Sequence, residues 1–89
     1  VTSPLPAPPK LRGQPLAQVP AGQQVVVTGY DGGLKLQSRL MALGLVVGQL
    51  LNVIQNNGGM VIVSLNGGRI ALGRGMSRKI LVVPAPPTG

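Results

Sequence analysis

Apolar residues come in short bursts along this chain, and each burst ends at glycine, asparagine or proline. Gln23 to Thr28 holds three consecutive valines, β-branched residues that suit a pleated, half-buried strand. Before it, Pro15 to Val19 reads as a short first strand or edge, and Pro20-Ala21-Gly22 as a turn. Gly29 to Gly33 ends the second strand. From Leu34 to Leu43 the period changes: Leu36, Leu40 and Leu43 fall at i, i+4 and i+7, with Lys35 and Arg39 on the neighbouring face. That spacing predicts an amphipathic helix of about ten residues. Gly44 follows it directly, where a left-handed residue stops a helix at no steric cost.

The remaining bursts return to strand character. Leu50 to Gln55 predicts a strand, Asn56-Asn57-Gly58-Gly59 a hairpin turn, and Met60 to Leu65 the returning strand with Val61, Val63 and Leu65 on one face. Asn66-Gly67-Gly68 turns into Arg69 to Leu72, with Ile70 and Leu72 inward. Gly73 to Lys79 reads as irregular or as a single helical turn, and Ile80 to Val83 closes the sheet. The expected fold is therefore mostly β with one short helix, a small barrel of about five strands with the helix inserted after the second. Closure is the usual way for so short a sheet to hide its edges. The expected core is Leu40, Leu43, Leu45, Val53, Val61, Val63, Ile70, Leu72, Ile80 and Val82.

Composition sharpens this picture at the ends. Glycine (14) and proline (9) make up about a quarter of the 89 residues, a share that by itself suggests disorder. Yet no proline lies between residues 21 and 83. The expected organisation is a Pro-rich, flexible lead over 1–13, one domain over 14–83, and a Pro-rich tail over 84–89. No apolar run approaches the ~20 residues needed to span a bilayer, and none follows a charged start, so no signal peptide is expected.

The side-chain inventory excludes most chemistry. The chain has one acid, Asp31, and neither histidine nor cysteine. General acid–base catalysis needs titratable partners with separated pKa values, and no carboxylate pair exists. Ser38, Ser64 and Ser77 have no imidazole to activate them, and nothing supports a Ser–Lys pairing with Lys35 or Lys79. An enzyme is not expected, nor a cofactor. Transition metals prefer imidazole, thiolate or clustered carboxylates, so no metal site is expected either. Met41, Met60 and Met76 fall in three different elements and read as adaptable fillers rather than soft-ion ligands.

What remains is charge. The net charge is +7, and Lys35, Arg39, Arg69, Arg74, Arg78 and Lys79 all fall inside the domain. Such an excess serves solubility, or attracts an acidic protein, an anionic membrane surface or nucleic acid. Nucleic acid is the weaker partner, because single-strand binders stack bases on aromatic side chains and Tyr30 is the sole aromatic. The same scarcity disfavours a groove for Pro-rich peptides. Gly73-Arg74-Gly75 lacks the strand–loop–helix frame of a phosphate loop.

Three stretches carry a family resemblance. Arg39-Leu40-Met41-Ala42-Leu43-Gly44-Leu45-Val46-Val47-Gly48, then Leu50 to Ile54, then Ile70-Ala71-Leu72-Gly73 running on to Ile80-Leu81-Val82, together resemble the FeoA family over residues 14–83. The sequence departs from that pattern at Gly75-Met76-Ser77, where many members carry an acidic helical turn. The resemblance implies an SH3-like barrel in the bacterial cytoplasm, associated with transition-metal handling. It implies a non-catalytic accessory of ferrous iron uptake whose partner is FeoB, a membrane GTPase. The same module occurs as the C-terminal domain of metal-dependent repressors, so a sensor or oligomerisation role is the alternative, beside a small basic nucleic-acid-binding barrel. Self-association is left open. The residues expected at a partner surface are Lys35, Arg39, Leu45, Arg69, Arg74, Arg78 and Lys79.

Overall fold

The computed structural model describes residues 13–85, and the expected flanks lie almost entirely outside them. Six strands, one helix and two short helical turns follow in the order β1 (Gln14–Pro15), a 3-10 turn (Leu16–Gln18), β2 (Gln24–Tyr30), α1 (Leu34–Ala42), β3 (Leu50–Asn57), β4 (Met60–Leu65), β5 (Gly68–Leu72), α2 (Arg74–Ser77) and β6 (Ile80–Pro84). All pairings are antiparallel, in the order β1-β6-β2-β3-β4-β5. Among the described residues no ladder joins the edge strands β1 and β5, so the hydrogen-bonded ring expected from the sequence is not closed. The helix does follow the second strand, and there are six strands rather than five.

Two hairpins fix the register of the middle strands. Gly58–Gly59 and Asn66–Gly67 place both central residues at positive φ, which two-residue type I′ loops require. Two bulges then bend the sheet. The β2–β6 register shifts between Val27 and Gly29, and the β3–β4 register between Val53 and Gln55. A bulge adds local twist and re-aims the side chains beyond it. In β3 the shift sets Asn56 opposite Val61, which is buried.

Asn56 uses that position. Its Nδ2 donates to the carbonyls of Ala17 (2.9 Å) and Val19 (2.7 Å), and its Oδ1 accepts from the Gly59 backbone N–H (3.0 Å). The Gly59 carbonyl accepts in turn from the Ser77 hydroxyl, a fully buried polar side chain on α2. The first 3-10 turn, the β3–β4 hairpin and α2 are thereby tied together through satisfied polar groups, which a small core tolerates at little cost.

The core gathers Leu16, Val19, Val25, Val27, Leu40, Leu45, Leu51, Val53, Val61, Val63, Leu65, Leu72, Ile80 and Val82. Two expected members differ. Leu43 is 39% exposed, because it is the C-cap of α1 and the chain reverses around it. Ile70 is half-buried and packs on the rim of the core. Where a first strand was expected over Pro15 to Val19, only Gln14–Pro15 pairs with β6. The 3-10 turn that follows, closed by Val19 N–H to the Leu16 carbonyl (3.0 Å), buries Leu16 and Val19 three residues apart.

Candidate functional site

The Leu-Gly-Leu element is a helix stop. Gly44 N–H donates to the Met41 carbonyl (3.0 Å) and Leu45 N–H to the Leu40 carbonyl (3.0 Å), with Gly44 at φ +93°. This is the Schellman arrangement, which is commonly accompanied by apolar packing of the residue after the glycine on the third from the helix end. Those two residues, Leu45 and Leu40, are both fully buried. The hydroxyl of Tyr30 donates to the Leu45 carbonyl (2.7 Å), so the single aromatic fastens the same corner.

This geometry corrects one assignment: Leu45 is a core residue and its side chain is not available at a surface. The six expected cations are all exposed, but they are spread over three regions. Lys35 and Arg39 lie one turn apart on α1. Arg69 lies on β5, with Ser64 as its cross-strand partner on β4 and Asn52 beyond it on β3. Arg74, Arg78 and Lys79 sit on or just after α2. Arg74 runs along the β3–β4 turn, so close that a Cβ on Gly59 would meet its Cγ at 3.3 Å. Asp31 N–H donates to the Lys79 carbonyl (2.7 Å), joining the end of α2 to the loop that leads into α1.

Arg78 also borders a shallow depression with Pro15, Ala17, Gln18, Pro20 and Asn56. Apart from Arg78 its walls are uncharged, and Asn56 is already engaged by backbone groups. The arrangement can hold or steer a partner; it has no nucleophile–base pair and no ligand set. Sequence reasoning missed an apolar surface at the end of α1 and the turn that follows. Met41 is 51% exposed and Val47 60%. Three aliphatic residues at 45–47, in a segment read as a turn, were the available signal.

The FeoA domain family matches residues 14–84. The chain belongs to the FeoA family. As an FeoA domain it is a non-catalytic accessory of transport, in keeping with its side-chain inventory. A protein of Methanocaldococcus jannaschii provisionally named Fe(2+) transport protein A is 42% identical over 71 residues, covering 80% of this chain and 87% of that protein. The crystal structure of an iron uptake regulatory protein, FeoA, superposes with a TM-score of 0.73 at 28% identity, covering 81% of this chain and 96% of the other. A manganese-dependent transcriptional repressor shares the fold, with a TM-score of 0.74 at 22% identity over 90% of this chain and 44% of the repressor.

No helix among the described residues of this FeoA domain is long and apolar enough to cross a membrane. One carboxylate without imidazole or thiolate cannot assemble a chelating set for Fe(2+) or Zn(2+). Anaerobic calorimetric titration of the chain with either ion is expected to give no stoichiometric heat. A micromolar or tighter site would contradict this.

Proposed function

We propose that this FeoA domain acts in the cytoplasm as an accessory of ferrous iron uptake, docking on the cytosolic part of an FeoB-like membrane GTPase. The observation that carries the reading is family membership, reinforced by 42% identity to a protein named for Fe(2+) transport across most of both chains. The surface chemistry supports it. A net charge of +7, with every cation of α1, β5 and α2 exposed, favours an acidic partner and speeds its encounter.

Steering of this kind has a kinetic signature. Reversing Arg39 and Arg74 to glutamate is expected to slow association with the purified GTPase domain by about tenfold at low salt. The difference shrinks as salt rises, because exposed charges are screened beyond ~8 Å at physiological ionic strength. Thermal stability stays nearly unchanged, since both side chains are exposed. Equal association rates for the reversed and native proteins would contradict docking through these cations.

A further inference from the structure

Residues 40–68 contain no charged side chain. Yet among the described residues this stretch supplies seven of the eight exposed large apolar side chains. Five of them, Met41, Leu43, Val46, Val47 and Leu50, follow one another from the end of α1 into the start of β3. The segment between is a fixed, exposed turn. Gln49 N–H donates to the Val46 carbonyl (3.0 Å), closing a tight turn around Val47. Its base is fastened to β2 by Gly48 N–H to the Val27 carbonyl (2.8 Å) and Val27 N–H to the Gln49 carbonyl (3.0 Å). Leu50 then continues the apolar surface onto the sheet beside its cross-strand partner Val26, whose other partner is Val83. The exposed cations Lys35 and Arg39 stand on the helix that leads into this turn.

We propose that the Val46–Val47 turn inserts into the headgroup boundary of an anionic lipid bilayer, with Lys35 and Arg39 attracted to the lipid phosphates. The charge argues for this occupant. A second copy would bring another +7 chain against the first, whereas an anionic surface is complementary. The shape argues the same way. An exposed turn that offers only aliphatic side chains and no hydrogen-bonding side chain at its tip suits a fluid apolar boundary, which needs no matching pocket. The inference goes beyond GTPase docking and does not depend on it.

The test is sedimentation of the full chain with vesicles of pure phosphatidylcholine and of equimolar phosphatidylcholine and phosphatidylglycerol, without any GTPase present. The native protein is expected to bind the mixed vesicles and not the neutral ones. Val46→Ser with Val47→Ser leaves the charge unchanged and should lower partition about tenfold through lost apolar insertion. Val47→Ser alone should lower it several-fold and guards against an effect on folding, since that side chain is 60% exposed. Lys35→Glu with Arg39→Glu should abolish the preference for anionic vesicles. Affinity of the serine variants for the GTPase domain should not change. Absence of binding to mixed vesicles would overturn the proposal. So would native-like binding by both serine variants, or their loss of GTPase affinity with vesicle binding intact, which would make the turn a protein contact.

Discussion

Leu40→Ala is expected to lower the melting temperature by roughly 8–40 °C. Leu40 is fully buried, and its truncation removes apolar contacts and leaves a cavity that one short helix cannot close. Such changes cost about 2–5 kcal/mol, and each kcal/mol moves the midpoint of a domain this size by about 4–8 °C. Leu40 also accepts the Leu45 N–H in the helix stop, and both side chains belong to the buried core, so the loss extends to the α1–β3 connection. The matched control is Leu43→Ala, at a position 39% exposed, which should shift the midpoint by only a few degrees. Thermal melts followed by circular dichroism read both, and equal shifts would contradict the placement of α1 on the core.

Gly44→Val should destabilise by about 2 kcal/mol or more, from two separate causes. At φ +93° a β-branched residue is strained. Any Cβ there would also meet the Leu65 Cδ1 at 3.2 Å, so a neighbour at the end of β4 must give way. Asparagine tolerates positive φ better than other non-glycine residues, so Gly44→Asn should cost least, Gly44→Ala more and Gly44→Val most. Urea denaturation should show the midpoint falling in that order with an unchanged slope. If valine were tolerated as well as asparagine, the left-handed corner would not be required.

Local chemistry made much of this fold readable. The Leu36–Leu40 spacing followed by Gly44 specifies a helix and its stop, and the Asn-Gly-Gly triplets at 57–59 and 66–68 specify the hairpins. What escaped depends on contacts between distant segments. Leu16 opens a three-residue 3-10 turn and Val19 caps it, a segment too short to show a period, and its end is held by Asn56 nearly forty residues away. The bulge at Ile54 leaves no local signature, yet it directs Asn56 inward where unbroken alternation would direct Gln55. Leu43 continues the helical stripe on paper but is turned outward by the reversal at Gly44. For the same reason the exposed cations were legible one by one, while their division among α1, β5 and the α2 region, and the burial of Leu45, follow from register and helix capping.

The measurement that bears most directly on the accessory role is a parallel binding titration of the native chain. One arm presents the purified cytosolic GTPase domain of an FeoB-like transporter, and the other mixed-sequence RNA and DNA at the same ionic strength. Salt sensitivity alone does not separate them, because both partners are anionic and both lose affinity as salt rises. Saturable binding to the GTPase domain is expected, with only weak, sequence-independent association with nucleic acid. Tight RNA or DNA binding with no detectable GTPase complex would contradict the accessory role.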